Sequence, residues 1–502
     1  MARKSGILLH PTSLPGNFGI GDLGQWAYRF ADFLAESGQQ LWQILPLGPT
    51  GYGNSPYQTW SSIAGNPLLI NLEKLADLGW LSAEDLSVMT RIPSAADSFV
   101  DFDTVTQVKM PLLRKAARAF FEARPADTYQ EYKDFCLQNA MWLDSFARFA
   151  ALRELNNEMP WTTWRSAQFA EEHVIAEHKF IQFEFHRQWF ALRLYCNEIG
   201  IKIIGDIPIF VAHDSADVWA NRRLFDLDEK GNPRNIAGVP PDYFSETGQL
   251  WGNPLYRWDE MARDGFAWWI DRIRAAMRMT DIIRLDHFRG FEKFYQIPAG
   301  ADTAVDGTWV QGPVDRLFNA LSSALGKLPF IAEDLGYITP EVRALRDRWG
   351  FPGMRIMQFG FGDEQRGNPH RPFNFIKNCI AYTGTHDNDT TAGWFADKAT
   401  HKAGEEALVY MGSTGEKPVW DFIRLALASV ADTVVLPMQD VLGLGSDARM
   451  NTPSTKGNNW NWRMTEDGFK PELAAKLRDM VHCYGRHPAA VMEAQASSPA
   501  CN

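Results

Sequence analysis

The stretch Asp281-Ile282-Ile283-Arg284-Leu285-Asp286-His287-Phe288-Arg289-Gly290 decides the reading of the fold. It is a short, mostly apolar run that stops on charged residues and a glycine. A strand buried on both faces reads this way, because neither face has to be solvated. Just before it, Met261–Met279 places apolar residues at helical spacing. A helix feeding a buried strand is one unit of a parallel sheet covered on both sides.

Working outward, the same signature recurs. Gly6–Leu14, Leu41–Leu47, Ile201–Val211, Leu328–Glu333, Met354–Phe361, Cys379–Thr385 and Thr433–Gln439 bring the apolar runs to eight. Leu23–Glu36, Pro340–Trp349 and Val419–Val430 are further amphipathic segments. Eight such units predict an α/β protein, a (β/α)8 TIM barrel with inserted, largely helical subdomains. The spacing is uneven. A mainly helical insertion is expected over 52–200, after the second strand, with helical patterns at Gln107–Glu122, Tyr129–Glu154 and Ala170–Glu198. A second excursion, 212–257, follows the third strand and is rich in Pro, Gly, Asn and Asp. Loops that long within a compact domain are usually functional. The expectation is a single catalytic barrel over 1–502 that carries both excursions.

Composition narrows the function classes. The 502 residues carry a net charge of −11, which argues against a partner held by phosphate contacts, so no nucleic acid is expected. The five cysteines (Cys136, Cys196, Cys379, Cys483 and Cys501) are scattered without a CxxC pattern. That reads as reduced thiols in a cytoplasmic protein. Neither a signal peptide nor an 18-residue apolar stretch is present, so no membrane association is expected. Aromatic residues also stand in polar loops, as in Gly51-Tyr52-Gly53-Asn54-Ser55-Pro56-Tyr57 and Gly457-Asn458-Asn459-Trp460-Asn461-Trp462. Rings beside amides suit sugars, whose apolar face stacks while the hydroxyls hydrogen-bond.

Active sites of such barrels lie at the C-terminal ends of the strands. The third strand ends at Asp206, the fourth at Asp286, the fifth at Glu333, the seventh at His386-Asp387 and the eighth at Asp440. Retaining glycoside cleavage needs two carboxyls roughly 5 Å apart, one to attack the anomeric carbon and one to protonate the leaving oxygen. Arg284 lies two residues before Asp286 and so on the same face of the strand. A guanidinium at that position is expected to lower the Asp286 pKa and keep a nucleophile ionised. Glu333 follows the apolar Phe330-Ile331-Ala332, a setting that raises a carboxyl pKa and suits an acid. Asp387 is a third carboxylate able to bind sugar hydroxyls as charge develops. Blander readings stay open: a helix N-cap for Asp334, Asp389 or Asp440, a structural ion pair for Arg284 and Asp286, or a metal site without any HExxH-like pattern.

The residues also resemble the 4-α-glucanotransferases called amylomaltases or disproportionating enzymes, glycoside hydrolase family 77. The likeness runs along nearly the whole chain. It is carried by His10-Pro11-Thr12-Ser13-Leu14-Pro15-Gly16, Ser55-Pro56-Tyr57, Gly205-Asp206-Ile207-Pro208, Gly238-Val239-Pro240-Pro241-Asp242-Tyr243-Phe244, Arg284-Leu285-Asp286-His287, Ala332-Glu333-Asp334-Leu335-Gly336 and Thr385-His386-Asp387-Asn388. The Arg-x-Asp-His element is shared by the wider α-amylase clan, whereas the Pro-Pro-Asp-Tyr-Phe and Tyr-Gly-Asn-Ser-Pro-Tyr runs are specific to this family. The resemblance implies a barrel with no separate C-terminal β domain. It implies Asp286 as nucleophile, Glu333 as acid/base and Asp387 as transition-state stabiliser. Arg284, His287, Asp206 and His386 match positions around the reacting sugar. Tyr57, Ser55, Asp242, Trp251, Asn253 and Asn459 match groove positions. The implied partners are maltooligosaccharides and α-1,4-glucans such as starch, glycogen and maltodextrin, with glucose as an acceptor. No obligatory metal or organic cofactor is implied. The alternatives are an α-glucan hydrolase of the same clan, a non-catalytic glucan-binding protein and a metal-dependent barrel enzyme. The loop Gly238–Trp251 is the candidate for covering the site against water.

Overall fold

A computed structural model of the chain describes residues 3–87, 98–165, 168–241, 246–363, 366–455 and 457–488. Asp242 and Cys501 lie outside the described residues. Eight parallel strands close into a barrel. They are β1 (Lys4–Leu8), β2 (Leu41–Gln43), β3 (Lys202–Pro208), β6 (Ile282–Asp286), β9 (Phe330–Ala332), β10 (Gly353–Ile356), β11 (Cys379–Tyr382) and β12 (Thr433–Pro437), and each overlaps one of the eight apolar runs. The first strand closes on the last, with Lys4 opposite Thr433 and Leu8 opposite Pro437. Apolar runs become buried barrel strands because helices cover their outer face and neighbouring side chains fill the inside. The interior also holds polar groups that satisfy one another, as where the Tyr382 hydroxyl donates to Gln43 Oε1 at 2.8 Å.

The segment after β2 carries the helices Phe102–Ala123, Ala126–Leu155 and Glu172–Glu198. The pattern read as one helix over Met261–Met279 is two, Trp258–Arg263 and Ala267–Met279. The break is at Gly265 and Phe266, both with positive φ, a conformation no helix interior accommodates.

A second sheet extends the architecture beyond the sequence reading. β4 (Asn235–Val239), β5 (Gln249–Pro254), β7 (Lys293–Pro298) and β8 (Thr308–Gln311) form an antiparallel sheet in the order β5-β4-β7-β8. Two of these strands lie in the stretch expected to be loop, and the other two follow β6. Gly238 sits where a side chain would strike the Gln249 carbonyl, since an added Cβ would come within 2.1 Å of it. Glycine there, and no clean alternation of apolar residues, kept the strands from showing in the pattern.

Beneath the barrel, the fully buried Arg486 donates to the carbonyls of Lys4, Leu427, Ser429 and Ala431 at 2.8–3.1 Å. This one guanidinium joins β1, the approach to β12 and the C-terminal segment. Among the described residues no helix is long and apolar enough to cross a membrane.

Candidate active site

Parallel pairing sets the first contacts. The β3–β6 register puts Asp206 opposite Arg284 and Pro208 opposite Asp286. Arg284 Nη1 accordingly reaches Asp206 Oδ2 at 2.6 Å and Asp286 Oδ1 at 3.0 Å. Arg284 and Asp206 are buried, while Asp286 keeps 28 % of its side chain exposed.

The proton states differ from the sequence expectation in one respect. Arg284 does hold Asp286 down, but burial outweighs it, and the nearby Asp206 and Asp387 charges add to the rise, so the Asp286 pKa is raised. The guanidinium is shared with Asp206, which takes the shorter bond. Glu333 is raised further, first by burial and then by the Asp286 charge, against opposing hydrogen bonds from the amides of Leu335 and His287. Asp387 moves the other way. Its burial is overcome by His386 and by a hydrogen bond from Asn451, which hold it well below the usual carboxylate range. Three carboxyls therefore sit at one barrel mouth with separated proton affinities. Such separation marks acid/base sites.

Hydrogen bonds fix their placement. His287 follows Asp286 in a left-handed conformation (φ 51°). Its amide donates to Glu333 Oε2 at 2.7 Å, and the Leu335 amide donates to Oε1 at 2.9 Å. The Tyr57 hydroxyl donates to Asp206 Oδ2 at 2.7 Å and lies 2.9 Å from His386 Nε2. Burial and Asp206 push the Tyr57 pKa well up, so the hydroxyl keeps its proton. With that proton committed to Asp206, the phenol oxygen accepts from His386, which places a hydrogen on Nε2. The same nitrogen lies 3.3 Å from Asp387 Oδ2. Burial lowers the His287 pKa to about 4, leaving its ring neutral near pH 7.

An open cleft of about 620 Å³ passes over Tyr57, Asp286 and His287. Its wall includes Ser55, Tyr57, Trp251, Asn253, Asp286, His287, Asn459 and Trp460. The Trp251 ring stands edge-on to His287 at 4.8 Å. Gly248, Gln249 and Leu250 of the Gly238–Trp251 segment also face the cleft. Two predicted groove amides are partly committed to the protein. Asn253 donates to the Val211 carbonyl, and Asn459 Oδ1 accepts from the Thr452 amide. Trp460 has φ 67° and packs near both Tyr57 and His386. A bulky residue in that region is strained, and such strain collects at functional sites. The N-cap readings do not hold for the neighbouring aspartates. Asp334 pairs with Arg346 and Arg355, and Thr390 caps the helix Thr391–Ala396 while Asp440 accepts from the Thr391 amide and the hydroxyls of Thr383 and Thr391.

Sequence reasoning missed Asn451 and Arg449. Asn451 Nδ2 donates to Asp387 Oδ1 at 2.7 Å, and Arg449 Nη2 donates to the Asp387 carbonyl at 2.8 Å. Both lie in the loop after β12, so reading past that strand end would have reached them.

A family model described as 4-alpha-glucanotransferase, glycoside hydrolase family 77, matches residues 9–468. This chain belongs to that family. It is 47 % identical to a 4-alpha-glucanotransferase of Synechocystis over 96 % of this chain and 98 % of that one. It is 46 % identical to the 4-alpha-glucanotransferase of Thermus thermophilus over 97 % and 99 %. The structure of an amylomaltase from Streptococcus agalactiae in complex with acarbose superposes with a TM-score of 0.92 at 39 % identity, covering 97 % of this chain and all of that one. Family 77 membership thus agrees with the barrel and its helical insertions.

Proposed function

We propose that this protein is a 4-α-glucanotransferase that moves α-1,4-glucan segments to the 4-hydroxyl of another glucan or of glucose by a retaining double displacement. One observation carries the mechanism. Glu333, whose proton affinity is raised most, shares a site with Asp286, which an arginine contacts directly. Asp286 attacks the anomeric carbon, and Glu333 protonates the departing 4-oxygen as the bond breaks. The glucosyl–Asp286 ester forms while the leaving chain takes the Glu333 proton. Loss of the Asp286 charge then lowers the proton affinity of Glu333, which suits its next task as base. It removes the proton from an acceptor 4-hydroxyl, whose oxygen displaces the ester with a second inversion. Asp387, held ionised, stabilises the positive charge on the sugar in both steps.

Transfer rather than hydrolysis requires the acceptor hydroxyl to be aligned better than water. Orientation is worth about 7–11 kcal/mol, enough for a bound sugar to win. Trp251 and its neighbours over the cleft are the proposed water-excluding wall, and shortening that segment raises the hydrolysis share. We treat 1–502 as one catalytic barrel, with 52–200 and 212–257 as its excursions. The substrates proposed are maltooligosaccharides and the α-glucans starch, glycogen and maltodextrin. The free Cys136, Cys196, Cys379 and Cys483 support a cytoplasmic setting. The test is incubation of purified protein with maltotriose. Glucose together with chains longer than maltotriose is the expected result. Glucose and maltose without elongation would make the protein a hydrolase.

A further inference from the structure

We infer that Asn451 is a positioning residue for the transfer reaction: it holds the Asp387 carboxylate in the orientation that faces the reacting sugar. The inference rests on the reading of Asp387 as the group that stabilises the charged sugar.

Asp387 stands past the end of β11, on a turn and not on the strand itself. The turn is locked internally, because Asn388 Oδ1 accepts from the Thr385 amide and hydroxyl. That fixes the backbone of the turn but leaves the Asp387 side-chain torsions open. Two side chains address the carboxylate. His386 approaches Oδ2 at 3.3 Å with a nitrogen whose hydrogen also serves the Tyr57 oxygen at 2.9 Å. Its contact is therefore long and divided. Asn451 approaches Oδ1 at 2.7 Å from a buried position, a short bond to a charged acceptor.

Arg449 makes this contact rigid. Its Nη2 donates to the Asp387 carbonyl and its Nε to the Asn451 carbonyl, each at 2.8 Å. One planar guanidinium thus sets the spacing between the loop after β11 and the loop after β12. The Asn451 amide then closes the brace on the carboxylate. A neutral amide suits this task. It donates without cancelling the negative charge that the oxocarbenium-like state needs, whereas a lysine there would neutralise it. Asn451 also lines the cleft together with Thr452, Ser454 and Asn459, so the brace is anchored in the wall along which the glucan lies.

The test is steady-state kinetics of Asn451→Ala, Asn451→Gln, Asp387→Ala and the Asn451→Ala/Asp387→Ala double variant. The substrates are maltotriose and α-maltosyl fluoride. Fluoride departs without a proton from Glu333, so a defect acting through the acid is relieved on that substrate, while one acting through Asp387 persists. Misplacement of a reacting group by about 1 Å costs on the order of 100-fold. We expect Asn451→Ala to lose roughly 10- to 100-fold in kcat on both substrates, with KM moving less than about threefold. Asn451→Gln recovers part of the loss by keeping a donor. In the Asp387→Ala background the same substitution changes the residual rate less than about twofold, because residues acting through one another are non-additive. Losses that multiply in the double variant, that fall on KM, or that vanish with the fluoride overturn the inference. If Asn451→Ala does not fold, the near-isosteric Asn451→Leu carries the test. It has no donor, and at least the same loss is expected, with wild-type kcat the overturning result. Full activity of Asp387→Ala would overturn the reading of Asp387 itself and is distinguishable from failure of the Asn451 assignment alone.

Discussion

The amide of His287 donates to Glu333 Oε2 at 2.7 Å. The residue that follows the proposed nucleophile thus aims the proposed acid/base. The contact requires the left-handed turn at His287, which swings its N–H toward β9. The Phe288 amide reinforces it by donating to the Glu333 carbonyl at 3.1 Å. Two backbone amides directly after β6 thus tie the residue at the end of β9 to the Asp286 turn.

Replacing either carboxyl separates their roles. Asp286→Asn leaves no nucleophile, so disproportionation of maltotriose falls by several orders of magnitude. Glu333→Gln loses about 10²–10⁴-fold on maltotriose. It regains most of its first-step rate with α-maltosyl fluoride, which needs no proton to depart. A rate on the fluoride no better than on maltotriose would remove Glu333 from the acid role.

Burial and Asp286 raise the Glu333 pKa. Catalysis needs its proton and an ionised Asp286 for the first step, so activity holds between the two raised pKa values and is lost as pH climbs through that of Glu333. Stability falls in the same direction. The unfolded chain releases this proton near pH 4.5, whereas the folded one holds it to higher pH, so the wild-type site costs stability as pH rises across that window. Glu333→Gln should therefore unfold at a higher temperature than wild type at pH 8, with the gain vanishing at pH 4. Equal melting temperatures at pH 8 would contradict the assigned shift.

Tyr57→Phe removes a hydroxyl bonded to both Asp206 and His386. Losing a hydrogen bond to a charged group costs about 1.5–3 kcal/mol, which is roughly a 10- to 100-fold fall in kcat/KM if the bond serves the transition state. The ring still packs against His386 and Trp460, so thermal unfolding should change little. A large drop in the melting temperature would reassign the hydroxyl to stability.

Arg486→Ala strips donors from buried carbonyls at the barrel floor. Each unsatisfied group costs about 1–3 kcal/mol, so the variant should melt several degrees lower while keeping wild-type kcat below its transition. Differential scanning calorimetry and maltotriose turnover on the same sample check both halves.

The barrel was legible because its strands are apolar on both faces and each stops on polar residues. Asp286, Glu333 and Asp387 were found from those stops. Spacing along one strand also placed Arg284 beside Asp286. What it could not convey is the burial that outweighs Arg284 at Asp286, or the second partner across the strand, Asp206, which shares the guanidinium and adds to the rise. The β5-β4-β7-β8 sheet escaped because its strands lack a clean apolar alternation, are joined across β6, and carry glycine where backbones touch. Asn451 escaped for a related reason. Its partner Asp387 lies 64 residues earlier in the chain, and no local pattern announces a contact made by two loops on adjacent strands.

The pairing of β1 with β12 has a consequence for how the protein is made. Lys4 finds Thr433 only after more than 400 residues have left the ribosome. Until then β1 has β2 on one side and an open edge on the other, and exposed edges recruit other strands. The cylinder therefore stays open through most of synthesis. Long-range pairing of this kind is slow to form, so closure of the barrel is a late step of folding.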